Sequence, residues 1–140
     1  MLQAMKKLNW LFLMFLSFAF VACDDDDDEV DLDVTAPTIN IMSPTANATY
    51  SAGDVVPLRA EIEDNLGLDE VVVSVTDPGG TNREIEDDKI RDFLNDNTNK
   101  ELDLDINLDP NASAGAYIII VEATDEQGNR AEESVTISVM

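Results

Sequence analysis

The sequence predicts an all-β domain of seven short antiparallel strands, set behind an export segment and an acidic tether. Three observations predict it. From residue 37 onward apolar residues recur at every second position in short runs, the period of a strand with one face in a core and the other in water. Clusters of Pro, Gly, Asn and Asp separate those runs, and no helical crossover joins them. Ahead of them stand one oily block and one acidic block, and the acidic one has no apolar surface with which to join a core.

The chain opens with Lys6 and Lys7, then an apolar segment over residues 8–22 interrupted only by Asn9 and Ser17. A positive end followed by an apolar run is the layout of a signal peptide. The run has 15 residues, shorter than the ~20 needed to span a bilayer. The segment Phe20-Val21-Ala22-Cys23 resembles the bacterial lipobox, with Phe20 where Leu is usual. That resemblance implies a diacylglyceryl group on Cys23, cleavage before it and acylation of the new amine, with residues 1–22 removed. Each buried CH₂ contributes about 0.8 kcal/mol, so two or more chains hold a protein where one would not. The alternative is a buried free thiol, but a cysteine followed by five aspartates has no core to enter.

Asp24, Asp25, Asp26, Asp27, Asp28, Glu29, Asp31 and Asp33 follow with no cation among them. Such a run repels itself and is expected to be disordered, so residues 23–36 read as a lipidated cysteine and its tether. Fully extended, residues 24–36 reach roughly 40 Å. Acid directly behind a lipidated cysteine is similar to the surface-export signal of Bacteroidota lipoproteins. The resemblance implies a lipid-anchored outer-membrane protein facing the cell exterior, and the alternative is a solvated spacer with no addressing role.

Strands are predicted near 38–42, 55–63, 70–76 and 82–86, then 101–108, 116–124 and 132–139. In LDLDINLD, residues 102–109, Asp or Asn takes every second place, so one face is core and the other water. One stretch departs from this period. Residues 87–96, DDKIRDFLND, suggest a short helix capped by Asp87 or Asp88, with Ile90, Phe93 and Leu94 on one face. Seven such strands over residues 37–140 argue for a two-sheet sandwich of immunoglobulin type. Tyr117 opens the sixth strand just after a turn, the place of a tyrosine corner, unless it merely packs in the core. The segments PTINIMSPTANATYSAGD, AEIEDNLGLDEVVVSV and NASAGAYIIIVEATDEQGN resemble the immunoglobulin-like lipoproteins of unknown function of Bacteroidota. More loosely they are similar to bacterial cadherin-like and adhesion-module sandwiches. Members of the first group often carry a histidine-containing segment after the third strand, which this chain lacks.

Composition removes several functions. The formal charge is −22, and cleavage after residue 22 would take away Lys6 and Lys7 and leave −24. Nucleic acid is thus an unsuitable partner, since phosphates need a basic patch. High charge also favours a monomer. No histidine is present and the single cysteine is assigned to lipid, which excludes Ser-His-Asp and Cys-His catalysis, histidine–thiolate zinc sites and an internal disulfide. Paired carboxylates that might act on glycosides mean little among 30 acids, and no enzyme is expected. The sequons at Asn47 and Asn111 read as chance in a bacterial lipoprotein.

One constellation stands out. In this topology the second-to-third and sixth-to-seventh strand loops share an end, and they contain Asp64, Asp69, Asp125 and Asn129. Hard oxygen ligands of this kind suit Ca²⁺. The competing explanation is that Asp, Asn and Gly are also what turns require. The expected function is a binding or adhesion module for a protein or glycan, with an accessory subunit of an envelope assembly or nutrient-uptake complex as the alternative. With Tyr50, Phe93 and Tyr117 as its aromatics, the domain has little to stack a sugar on.

Overall fold

The computed structural model describes residues 32–96 and 100–140. Eight strands and one helix follow in order: β1 (Thr38–Ser43), β2 (Thr49–Tyr50), β3 (Val55–Glu63), β4 (Leu68–Thr76), β5 (Asn82–Glu84), α1 (Asp88–Asn95), β6 (Glu101–Asn107), β7 (Gly115–Asp125) and β8 (Arg130–Val139). They form two sheets, β1-β3-β6 and β2-β8-β7-β4-β5. The protein is an all-β, immunoglobulin-like sandwich.

The period-two runs decide which face is buried. Val56, Leu58, Ala60 and Ile62 on β3 and Leu102, Leu104 and Ile106 on β6 point inward from one sheet. Val71, Val73 and Val75 on β4, Ile119, Val121 and Ala123 on β7, and Val135, Ile137 and Val139 on β8 meet them from the other. Register keeps the layers aligned, with Leu58 opposite Leu104 and Val73 opposite Val121. A shift by one residue would turn each set to water.

Two elements differ from the sequence expectation in detail. β2 is an eighth strand of two residues that pairs parallel with β8, Thr49 opposite Ser138. So short a segment carries no periodicity to read. The strand expected over 82–86 is regular only through Asn82–Glu84, all exposed, while the Ile85 N–H still donates to the Val73 carbonyl at 2.8 Å and its side chain packs on the core.

The helix forms where the period changes to i, i+3, i+4. Asp87 caps it by accepting the Lys89 N–H at 2.9 Å. Phe93 is buried, and Ile90 and Leu94 pack partly buried against the core. Because α1 touches both β4 and β6, it spans the two sheets. Tyr117 forms the expected corner, its hydroxyl donating to the Ser113 carbonyl at 3.0 Å. Just before it Gly115 has φ 142°, and a Cβ there would stand 2.8 Å from Pro78 Cγ, so glycine is required.

The sandwich lies within a compact unit, Leu32–Met140. Residues 32–36 lie along the sandwich in irregular backbone, with Asp33 half-buried and Pro37 buried. The signal peptide, Cys23 and the acidic residues 24–29 lie outside the described residues. Among the described residues no helix is long and apolar enough to cross a membrane.

Candidate functional site: an acidic cluster at one end of the sandwich

The β3–β4 and β7–β8 loops meet at one end, as the topology requires. The Glu126 N–H donates to the Gly67 carbonyl at 3.2 Å and ties the two loops together. Asp64 shapes the first loop: its Oδ2 accepts the N–H groups of Leu66 and Gly67, both at 2.9 Å. Gly67, at φ 136°, lets the chain turn back into β4. Asp64 Oδ1 is sealed from solvent and receives no hydrogen bond.

Asp125 shapes the second loop. It is the inward-facing position that follows Tyr117, Ile119, Val121 and Ala123 along β7, and it is 1% exposed. Its Oδ1 accepts the N–H groups of Gln127 at 2.9 Å and Asn129 at 2.8 Å, and its Oδ2 accepts the Asn129 amide at 2.7 Å. Burial alone would push the Asp125 carboxyl up. The Asn129 side chain and the backbone N–H groups of Asn129, Gln127 and Gly128 outweigh it, and the carboxyl sits below its ordinary value.

The third member comes from the lead-in to β1. The Asn129 amide also donates to the Asp33 carbonyl at 2.9 Å and so holds the lead-in against the β7–β8 loop. Asp33 Oδ1 accepts the Thr35 N–H at 3.0 Å, while its Oδ2 is sealed from solvent without a donor. Asp33, Asp64 and Asp125 each place a carboxylate oxygen within 4.8 Å of the other two.

Of the four residues singled out in the sequence, Asp64 and Asp125 are brought together. Asn129 sits beside them as a donor that orients two members. Asp69 is not part of the cluster. It is the extra residue where the β4–β7 register shifts between Leu68 and Glu70, and it is exposed. Asp33 was hidden in sequence among the tether acids. Asp125 carried a legible signal, because an aspartate in phase with four inward residues has to be buried.

Beside the cluster runs a groove of about 410 Å³, open to solvent and lined by Leu66, Phe93, Leu94, Lys100 and Glu126 among others. At its rim Lys100 Nζ meets Glu63 Oε1 at 2.7 Å. The Glu63 hydrogen bond, followed by its charge, raises the Lys100 ammonium above its usual value.

A family described as a domain of unknown function, DUF4625, matches residues 21–140. The chain belongs to this family. No curated protein matches it. Among solved structures it is similar to the fibronectin(III)-like modules of Clostridium thermocellum CbhA, at 21% identity and TM-score 0.48, over 73% of this chain and 94% of that one. It is also similar to CopC from Methylosinus trichosporium OB3b, at 21% identity and TM-score 0.43, over 73% and 93%. Murine CRIg is a third such structure, at 18% identity and TM-score 0.42, over 75% and 97%. The DUF4625 match takes in Cys23 and the whole acidic run as well as the sandwich.

Proposed function

We infer that this DUF4625 chain is a lipid-anchored, non-enzymatic binding module of the bacterial outer membrane, facing the cell exterior. The observation that carries the reading is the placement of Cys23. The single cysteine stands between an apolar run and an acid run, ahead of a folded unit that begins at Leu32. A thiol so placed has a lipid to carry and no core to fill.

The lead-in meets the sandwich at the acidic-cluster end, through Asn129 and Asp33. The opposite pole holds the β4–β5 turn, Asp77-Pro78-Gly79-Gly80, and the β6–β7 loop around Asp109-Pro110-Asn111. Those loops are the surface offered to a protein or glycan partner.

A binding module also fits the chemistry better than an enzyme does. The described groove is open, and the chain has no histidine to serve as general acid or base near neutral pH. Assembly by strand addition is discouraged at β6, whose outward residues include Glu101, Asp103 and Asp105.

Expression of the gene in a Bacteroidota host, beside a Cys23→Ser variant, tests the reading. The wild type is expected to fractionate with membranes, to carry the mass of its acyl chains and to be digested by protease added to intact cells. The variant is expected to lose the lipid and the membrane association. Equal partitioning of the two proteins, or an unmodified Cys23 in the wild type, refutes the anchor. Survival under external protease refutes surface exposure.

A further inference from the structure

The geometry points to a calcium-binding site formed by Asp33, Asp64 and Asp125 at the end of the sandwich where the β3–β4 and β7–β8 loops meet. Three carboxylates with oxygens all within 4.8 Å repel one another unless a cation stands among them. Acidic clusters are common on a chain this charged, so the decisive observation is a different one. Asp33 Oδ2 and Asp64 Oδ1 are both buried and neither receives a hydrogen bond. Turn chemistry accounts for the other oxygen of each residue, Asp33 Oδ1 with Thr35 and Asp64 Oδ2 with Leu66 and Gly67. It leaves these two unexplained. A sealed anionic oxygen without a donor is costly, and one cation coordinated by both removes that cost.

The donor set selects the ion. Carboxylate oxygens without histidine or thiolate favour hard cations such as Ca²⁺, Mg²⁺ or Mn²⁺. Mg²⁺ insists on near-ideal octahedral geometry and keeps several waters, whereas Ca²⁺ takes six to eight oxygens in flexible geometry. Three carboxylates on two loops and an irregular lead-in suit the more adaptable ion, with water and loop carbonyls completing six to eight ligands. Asn129 stands behind the ligands: it donates to Asp125 Oδ2 and to the Asp33 carbonyl, the orienting role of an outer-shell group. An ion bound here ties the lead-in to both loops at once. The site is independent of lipidation, so it stands or falls separately from the anchor.

Calorimetric titration and thermal melting of the full chain, purified in detergent and stripped with chelator, test the assignment. Ca²⁺ is expected to bind saturably, with Kd of about 0.1–1 mM as in extracellular modules, and to raise the melting temperature further as its concentration rises. Asp64→Asn keeps an oxygen for the Leu66 and Gly67 N–H groups and is expected to weaken binding by about tenfold or more. Asp33→Asn, which disturbs no strand, is expected to do the same and serves if the first variant misfolds. Asp69→Asn is expected to bind like the wild type. Absence of saturable binding, an equal response to Mg²⁺ or to NaCl at matched ionic strength, or loss of binding in Asp69→Asn alone overturns the site.

Discussion

At the residue scale, Asp125 and Tyr117 show how one strand carries two kinds of information. Both occupy the inward phase of β7, where the alternation calls for apolar side chains. Each keeps a polar group buried by giving it a named partner: Tyr117 donates to Ser113, and Asp125 accepts from its own loop. Tyr117→Phe leaves the ring packed and removes only the hydroxyl, so it should cost about 1 kcal/mol of unfolding free energy, read by urea denaturation. A loss within error would mean that the ring alone holds the corner. The identity of Asp125 as a buried position was legible from phase. Asp33 was not, because eight acids in ten residues look alike until the fold selects the one that touches Asn129.

At the scale of elements, alternation located β3, β4, β6, β7 and β8 because each has one buried and one solvated face. β6 shows the contrast most clearly. Leu104 is fully buried opposite Leu58, and its neighbour Asp103 is exposed opposite Arg59, with 3.6 Å between the charges. Leu104→Ala should cost about 2–5 kcal/mol. Asp103→Ala should cost no more than about 1 kcal/mol, since an exposed ion pair is screened. Equilibrium unfolding of both variants checks the difference, and similar costs would contradict the two-faced strand. The helix was legible from its cap and its i, i+3, i+4 face. β2 was not, because its pairing depends on residues of β8 that lie 89 positions further along the chain, rather than on its own two side chains.

At the scale of the whole molecule, charge and architecture oppose each other. The chain carries a formal −22 with no histidine, and a compact state must hold those carboxylates closer together than the unfolded chain does. Raising NaCl from about 0.01 M to about 1 M shortens the screening length from about 30 Å to about 3 Å. In chelator, where no divalent ion contributes, the melting temperature should rise with NaCl. A flat or falling response would show that self-repulsion does not limit stability. The same charge makes a hard cation the ligand that the clustered carboxylates match best.

Strand period, turn residues and the helix cap are properties of neighbouring side chains, so the sequence by itself determined the class of fold, the inward faces and the meeting of the β3–β4 and β7–β8 loops. The membership of the acidic cluster was decided by tertiary structure. Asp33 reaches Asn129 across 96 positions of chain, and a register shift in β4 leaves Asp69 in solvent. Neither outcome is written in local pattern. Long-range packing sets which oxygen is sealed without a donor, and that oxygen is what distinguishes a site from a run of acids.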